Sequence, residues 1–325
     1  MRMGINGRGV ADREIAPQKP HALLSGSAIM PFAAASPGDD VRMKAGLAEL
    51  ERHLGFRAVK TPLLTPVGYF AGSANERRDE FLRGIASEDI NALFAIRGGY
   101  GSNYGLENLQ IPDPALPKVI LGFSDLTSLQ IYLWQRWGWV TFYGPMIAAG
   151  LDGGAGAGRG YDRESLVASV QNTDGGTEIG LQGAVMVAGE VQGRILGGCM
   201  TLVETTIGTP WELDTSDAIL LLEDRGMKPW QVDRALMHLK QAGKFEGVRA
   251  IVLGDFPDCE APVAGSPTVQ EVCSRILGPL GVPIVFGAPL GHTMRPMLTV
   301  PLGVMGRLAA LGEGVLETLE PAVIR

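Results

Sequence analysis

The stretch VILGFSDLTSLQIYLWQRW, residues 119–137, decides the fold. Val119, Ile120 and Leu121 form a short apolar run that ends in Gly122. Ser124 and Asp125 follow almost at once, and a helix-like segment continues to Trp137. So short an apolar run, closed by a glycine and followed by a helix, reads as a parallel strand covered on both faces. The same grammar recurs to either side. Residues 92–96 lead to Arg97-Gly98-Gly99, 140–142 to Tyr143-Gly144-Pro145-Met146, and 218–222 to Glu223-Asp224, while 250–253 and 283–286 are further buried runs. Helix-like stretches occupy 41–54, 76–87 and 231–242, the last with Val232, Leu236 and Leu239 on one face. Residues 28–35 read as the first strand, although Pro31 predicts an edge or an irregular start. A short strand is expected at 56–59 and β-like character at 183–197. Alternation of this kind predicts an α/β protein whose strands are mostly parallel.

With 325 residues the chain exceeds one ordinary core, so two domains are expected. The expected organisation is an extension at 1–20, disordered or added for expression, and an N-terminal α/β domain at 21–150 carrying a mostly parallel sheet flanked by helices. A Gly-rich linker at 151–182, with a short helix near 163–170, joins it to a smaller, β-rich α/β domain at 183–325. Hydrophobic residues make up 46% and charged residues 19%, a balance that suits a packed globule and excludes a disordered chain. Net charge is −7 and no basic stripe gathers, which argues against nucleic acid as a partner. Three cysteines without CxxC spacing argue for a reducing compartment and against a zinc cage. No signal-peptide core and no run of about 18 apolar residues occurs, so the expectation is a cytoplasmic protein without a membrane partner.

Ligands of α/β proteins collect at the carboxyl ends of parallel strands. Four such ends carry unusual chemistry: RGGYG (97–101), GFSD (122–125), LED (222–224) and GAPLGH (287–292). Ser124 is either a helix N-cap, a role Asp125 could equally fill, or a nucleophile at a strand-to-helix turn. The local sequence is not GxSxG, because Leu126 stands where the second glycine belongs. A serine nucleophile needs a base, and only four histidines are present. His292, in a Gly/Pro-rich loop after a buried run, is better placed than His21, His53 or His238. A carboxylate directly after the apolar run AILLLED is costly unless exposed or partnered, so Glu223 or Asp224 either meets water or orients a cleft residue. Gly99-x-Gly101-x-x-x-Gly105 forms a loose dinucleotide pattern, but Tyr100 and Tyr104 would crowd a pyrophosphate. A plain Gly-rich turn is one alternative. Backbone N–H groups near a substrate oxyanion, which Gly98 and Gly99 permit by lacking a Cβ, is another.

These motifs together resemble the LD-carboxypeptidases, a serine-peptidase family that includes the microcin C self-immunity peptidases. The resemblance is carried by IRGGYG (96–101), GFSD (122–125), TFYGPM (141–146), GRILGG (193–198), LLLEDRGMKPWQVDRAL (220–236) and GHTMRPMLTVPLG (291–303), in family order over roughly 25–310. It implies Ser124 as nucleophile, His292 as base, Glu223 as its orienter, and the N–H groups of Gly99 and Asp125 as the oxyanion hole. It also implies no metal or other cofactor, a homodimer, and a small murein tetrapeptide-like substrate that loses its terminal D-Ala. Arg97, Tyr100, Arg225 and Arg295 sit beside motif residues and are candidates for binding substrate. Cys199 stands where many members have Asn, and the GHTMRPM loop carries Met and Arg where relatives are smaller and more polar. The microcin-immunity branch implies a longer insertion before the Glu, with an aromatic that stacks on the nucleotide. Here 151–182 is short and Gly-rich, and Trp211 is the only Trp between it and Glu223. The carboxypeptidase branch is therefore expected. The alternatives are an aminoacyl-nucleotide amidase of the microcin C self-immunity type, an NAD-binding oxidoreductase and a non-catalytic binding protein.

Overall fold

The computed structural model describes residues 15–112 and 116–325. Five parallel strands build the first sheet: β1 (Ala28–Phe32), β2 (Arg57–Ala58), β3 (Ala92–Ala95), β4 (Val119–Gly122) and β5 (Thr141–Tyr143). Between them run α1 (Asp40–Arg52), α2 (Ala74–Ala86) and α3 (Thr127–Trp137). The helices start where side chains satisfy their orphan N–H groups. Asp39 accepts from the N–H groups of Val41 and Arg42 at α1, and Ser73 and Glu76 form a reciprocal capping box at α2. In space the order is β2-β1-β3-β4-β5, with the switch point between β1 and β3. The loops leaving β3 and β4 therefore rise beside the crevice where such sheets bind ligands.

The second half of the chain contributes α4 (Arg163–Gln171), β6 (Glu178–Gly180), β7 (Ala184–Val187), β8 (Gly189–Cys199), α5 (Met200–Thr205), β9 (Ala218–Glu223), α6 (Pro229–Gln241), β10 (Ala250–Gly254), α7 (Val269–Leu277) and β11 (Ile284–Ala288). It ends with β12 (Val300–Leu302), β13 (Met305–Ala310) and β14 (Val315–Thr318). The second sheet has eight strands in the order β6-β14-β13-β8-β9-β10-β11-β7. Its parallel centre is β8-β9-β10-β11, and antiparallel strands flank it. The architecture is thus two mixed sheets with helices, the first mostly parallel.

Three segments differ from the sequence reading. The 151–182 stretch is not a bare linker. Gly150 before it and Gly154 and Gly156 within it take positive φ around a short 3₁₀ segment (Leu151–Gly153), and the expected short helix, α4, is followed by β6. Tyr161, Leu166 and Val170 of this stretch are fully buried, so packing overrides its polar composition. β12 leaves the second half to pair antiparallel with β5, which puts residues 300–302 in the first sheet. Nor is β1 an edge strand, since it pairs with β3 on one side and β2 on the other. Pro31 is tolerated because pairing with β2 stops at Ile29, so the missing N–H interrupts no ladder there. Of the expected N-terminal extension, residues 1–14 lie outside the described residues. Residues 15–20 run along the fold: the Gln18 N–H donates to the Gly138 carbonyl, and Lys19 pairs with Glu320 at 2.6 Å.

The first sheet is set against its helices with almost no clearance. A Cβ on Gly46 of α1 would lie 1.8 Å from the Ile147 carbonyl oxygen. Gly→Ala in an unhindered helix gains up to about 1 kcal/mol, but here the helix must move or the next strand exit must yield. Gly46→Ala is expected to lower the unfolding free energy by about 1–3 kcal/mol in urea titration. An unchanged midpoint would show that α1 is not held this closely.

Candidate active site

Ser124 sits where β4 turns into a 3₁₀ segment (Ser124–Leu126) ahead of α3. Its φ is +62°, a left-handed backbone rare for a residue with a Cβ. Such a conformation costs of order 1–3 kcal/mol and persists only where the surroundings impose it. Gly98 is part of those surroundings: a Cβ there would lie 2.9 Å from Ser124 Cβ and 3.0 Å from its Oγ. Neither helical segment takes a side-chain cap, so Ser124 does not serve as one. Asp125 does not either. Its buried carboxylate accepts the Ser102 N–H at 2.7 Å, while its own carbonyl accepts the Ser102 hydroxyl. Burial pushes the Asp125 carboxyl up, partly offset by Ser102, the Gly101 N–H and Arg77. The backbone N–H groups of Gly99 and Asp125 have no hydrogen-bond partner among the described residues.

Glu223 is the last residue of β9 and only 1% exposed. Two glycines make its space: a Cβ on Gly254 or on Gly291 would come within 2.5 Å of its side chain. His292 holds the carboxylate twice, through its backbone N–H to Oε2 at 2.9 Å and through ring Nδ1 to the same oxygen at 2.9 Å. The ring also meets Phe123 edge-on, with centroids 5.1 Å apart, and so packs against the neighbour of Ser124. Asp224 points elsewhere, accepting from the Thr201 N–H and hydroxyl and from the Arg225 N–H. Of the two carboxylates left open by the sequence, Glu223 is therefore the one that meets the histidine. The other three histidines are spent on Glu49, Glu204 and the chain's terminal carbonyl.

Ser124 and His292 line one cavity of about 240 Å³ together with Gly98, Gly99, Phe123 and Met297. Four guanidinium groups also line it, from Arg42, Arg97, Arg159 and Arg225. Arg42 is paired with Asp152 at 2.5 Å and Arg225 with Asp258 at 2.6 Å. Arg97 has no carboxylate partner among the described residues; its only protein hydrogen bond reaches the Pro37 carbonyl at 3.5 Å. Two of the sequence candidates are not brought to the cavity. Arg295 grips Asp255 with two nitrogens and also donates to the carbonyls of Gly287 and Gln182, fixing the loop that carries His292. Tyr100 stacks with Tyr69, Phe70 and Tyr104. Arg42 and Arg159 were missed because nothing local marks them; they reach the site from α1 and from the Gly-rich segment. The dinucleotide alternative fits poorly, since Gly101 starts a 3₁₀ segment (Ser102–Asn108) rather than an α-helix, and Arg77 already occupies its carbonyl. No helix among the described residues is long and apolar enough to cross a membrane.

A two-domain α/β protein with a hydroxyl, an imidazole and a buried carboxylate at its strand ends has the makings of a hydrolase. Its sequence matches the LD-carboxypeptidase N-terminal domain over residues 29–144 and the LD-carboxypeptidase C-terminal domain over 192–308. The chain belongs to that family of peptidases. It is 31% identical to a probable murein peptide carboxypeptidase of Bacillus subtilis over 92% of this chain and 97% of the relative. It is 28% identical to the microcin C7 self-immunity protein MccF of Escherichia coli over 81% and 84%. The structure of MccF in complex with glutamyl sulfamoyl guanosine shares the fold, with a TM-score of 0.83, 24% identity and coverage of 94% and 99%.

Burial pulls the His292 imidazole down, but the charge and hydrogen bond of Glu223, aided by Asp224, outweigh it and leave the ring above its ordinary value of 6.5. A raised folded value means that the imidazolium–Glu223 pair stabilises the fold fully below the unfolded value of about 6.5. That contribution fades as pH rises through the folded value. In NMR titration His292 is expected to have a midpoint above 6.5 in the native chain, and below it in Glu223→Gln, where burial acts with little opposition. A midpoint that ignored the substitution would remove Glu223 as the ring's partner.

Proposed function

We propose that the chain is a serine LD-carboxypeptidase that releases terminal D-Ala from murein tetrapeptides. What carries the reading is one arrangement: an unbonded Ser124 hydroxyl and an imidazole clamped by a buried Glu223 line the same cavity. In this mechanism His292 takes the Ser124 proton as Oγ attacks the scissile carbonyl, and Glu223 stabilises the imidazolium. The unpartnered N–H groups of Gly99 and Asp125 receive the oxyanion. Protonated His292 then gives its proton to the leaving amine of D-Ala, and water, deprotonated by the same ring, releases the acyl group. The terminal carboxylate of D-Ala needs a cation, and Arg97 is the best-suited of the sequence candidates, because Arg225 is paired and Arg295 is committed to its loop. In this reading the enzyme works as a cytoplasmic homodimer on recycled wall peptides.

A second reading rests on the likeness to MccF: hydrolysis of an aminoacyl-nucleotide amide at the same serine. A fluorophosphonate is expected to label Ser124, and Ser124→Ala to abolish labelling and lower kcat by about 10⁴-fold or more. Incubation with L-Ala-D-Glu-mDAP-D-Ala is expected to release D-Ala. Labelled protein that spares this peptide and cleaves an aminoacyl sulfamoyl nucleotide would move the chain to the second reading. Arg97→Gln removes a charged hydrogen bond and is expected to raise KM for the tetrapeptide about tenfold or more, while the labelling rate, which involves no terminal carboxylate, stays close to wild type. Equal losses in both would assign Arg97 to the chemistry instead.

A further inference from the structure

The triad reading leaves one buried polar group at the site without a role. Tyr143, the last residue of β5, is fully buried, yet its hydroxyl lies between two parts of the proposed machinery. It donates to Glu223 Oε1 at 2.5 Å and accepts the backbone N–H of Ser124 at 3.4 Å. The Ser124 N–H is thereby taken up, whereas the N–H of the next residue, Asp125, has no partner among the described residues. The two donors to Glu223 come from opposite halves of the molecule: His292 from the loop after β11 and Tyr143 from the first sheet. Around the phenol the backbones are too close for a side chain, since a Cβ on Gly198 would lie 3.1 Å from the Tyr143 ring.

We propose that Tyr143 is a positioning residue that acts through Glu223, fixing the carboxylate between the halves and limiting how much of its charge falls on His292. The inference rests on the triad reading. The ionisable groups facing His292 are Glu223, Asp224 and Arg225, and those facing Tyr143 are Glu223 and Cys199. Burial first, and then the Glu223 and Cys199 neighbours, push the Tyr143 phenol well above its ordinary value, so it stays a neutral donor throughout the working range. Without the phenolic O–H, Oε1 keeps only the longer Nδ1 contact at 3.2 Å. The imidazolium then carries more of the compensation and becomes harder to deprotonate.

Tyr143→Phe is expected to lower kcat about tenfold, the effect of one lost hydrogen bond, with KM nearly unchanged. The acidic limb of kcat/KM, which reports the free His292, should move up by about half a pH unit. In a Glu223→Gln background the same substitution should no longer shift the His292 titration. Replacing Tyr143 with 3-fluorotyrosine, a stronger donor of nearly the same shape, should move the limb down, and it decides the matter if Tyr143→Phe does not fold. An unmoved limb, or a fall in Tm alone, would reduce Tyr143 to packing and overturn the proposal. So would a shift that persisted with Glu223→Gln. If the wild-type chain hydrolysed no tetrapeptide, the substrate reading would fail by itself. The His292 NMR titration in wild type and Tyr143→Phe would then still judge the tether, because it needs no substrate.

Discussion

A charged carboxylate at the end of a wholly buried strand is the constraint around which the molecule is arranged. Glu223 closes β9, whose six residues are all buried. An ionised group in such a place costs several kcal/mol unless donors reach it. Its donors come from outside its own strand, and they arrive from both sheets: Tyr143 at the end of β5, and the backbone and ring of His292 beyond β11. The charge is thus compensated only when the two halves are docked. Other contacts follow the same seam. The Cys199 N–H donates to Thr127 Oγ1 at 3.1 Å, linking the end of β8 to the first turn of α3. A Cβ on Gly198 would strike that same threonine.

Docking at this distance explains why glycine crowds the strand ends. Gly254 and Gly291 leave room for the Glu223 side chain, and Gly98 leaves room for Ser124. The strained φ of Ser124 is compatible with this packing because β4 and α3 hold the turn from both sides, and Phe123 is pinned between Tyr143 and His292. Strain at Ser124, a buried carboxylate and close backbones are three costs met at one place. Each is tolerated because the surrounding sheets are rigid and apolar.

Much of this was legible in residue order. Buried parallel strands are short apolar runs, so 92–96, 119–121, 218–222, 250–253 and 283–286 announced themselves, and so did the residues they deliver. His292 stood out because the alternatives were few. What pairing between distant segments decides was not legible. β12 joins the first sheet by an antiparallel contact with β5, and no local pattern distinguishes that from a strand of the second sheet. In 151–182 the short helix was legible and α4 is there, but the glycines before it, which signal flexibility, serve tight turns beside a buried Tyr161. Arg295 lies three residues from His292, but its partner is Asp255, forty residues earlier. Proximity in sequence told nothing about that pairing. α7 carried a Thr268/Glu271 capping box before an amphipathic run, a signal present in the sequence and passed over.

The departures from the family pattern now separate by position. Cys199 is buried, and burial with Glu223 and Asp224 nearby holds its thiol far above the ordinary value, so it remains a neutral neighbour behind the carboxylate rather than a wall of the cavity. The GHTMRPM loop is the opposite case. Met294 and Met297 line the cavity, and Arg159 of the Gly-rich segment reaches Met294 Sδ at 3.1 Å. The segment expected to be a linker thus supplies Arg159 to the cavity wall. Strand ends, held by the sheets, deliver Ser124 and Glu223, while two loops bridged to each other at Tyr161 and Met297 complete the cavity wall. Gly150, Arg159, Met294 and Met297 shape that wall, whereas Arg295, between the two methionines, ties the same loop to Asp255 and with it the position of His292 against Glu223.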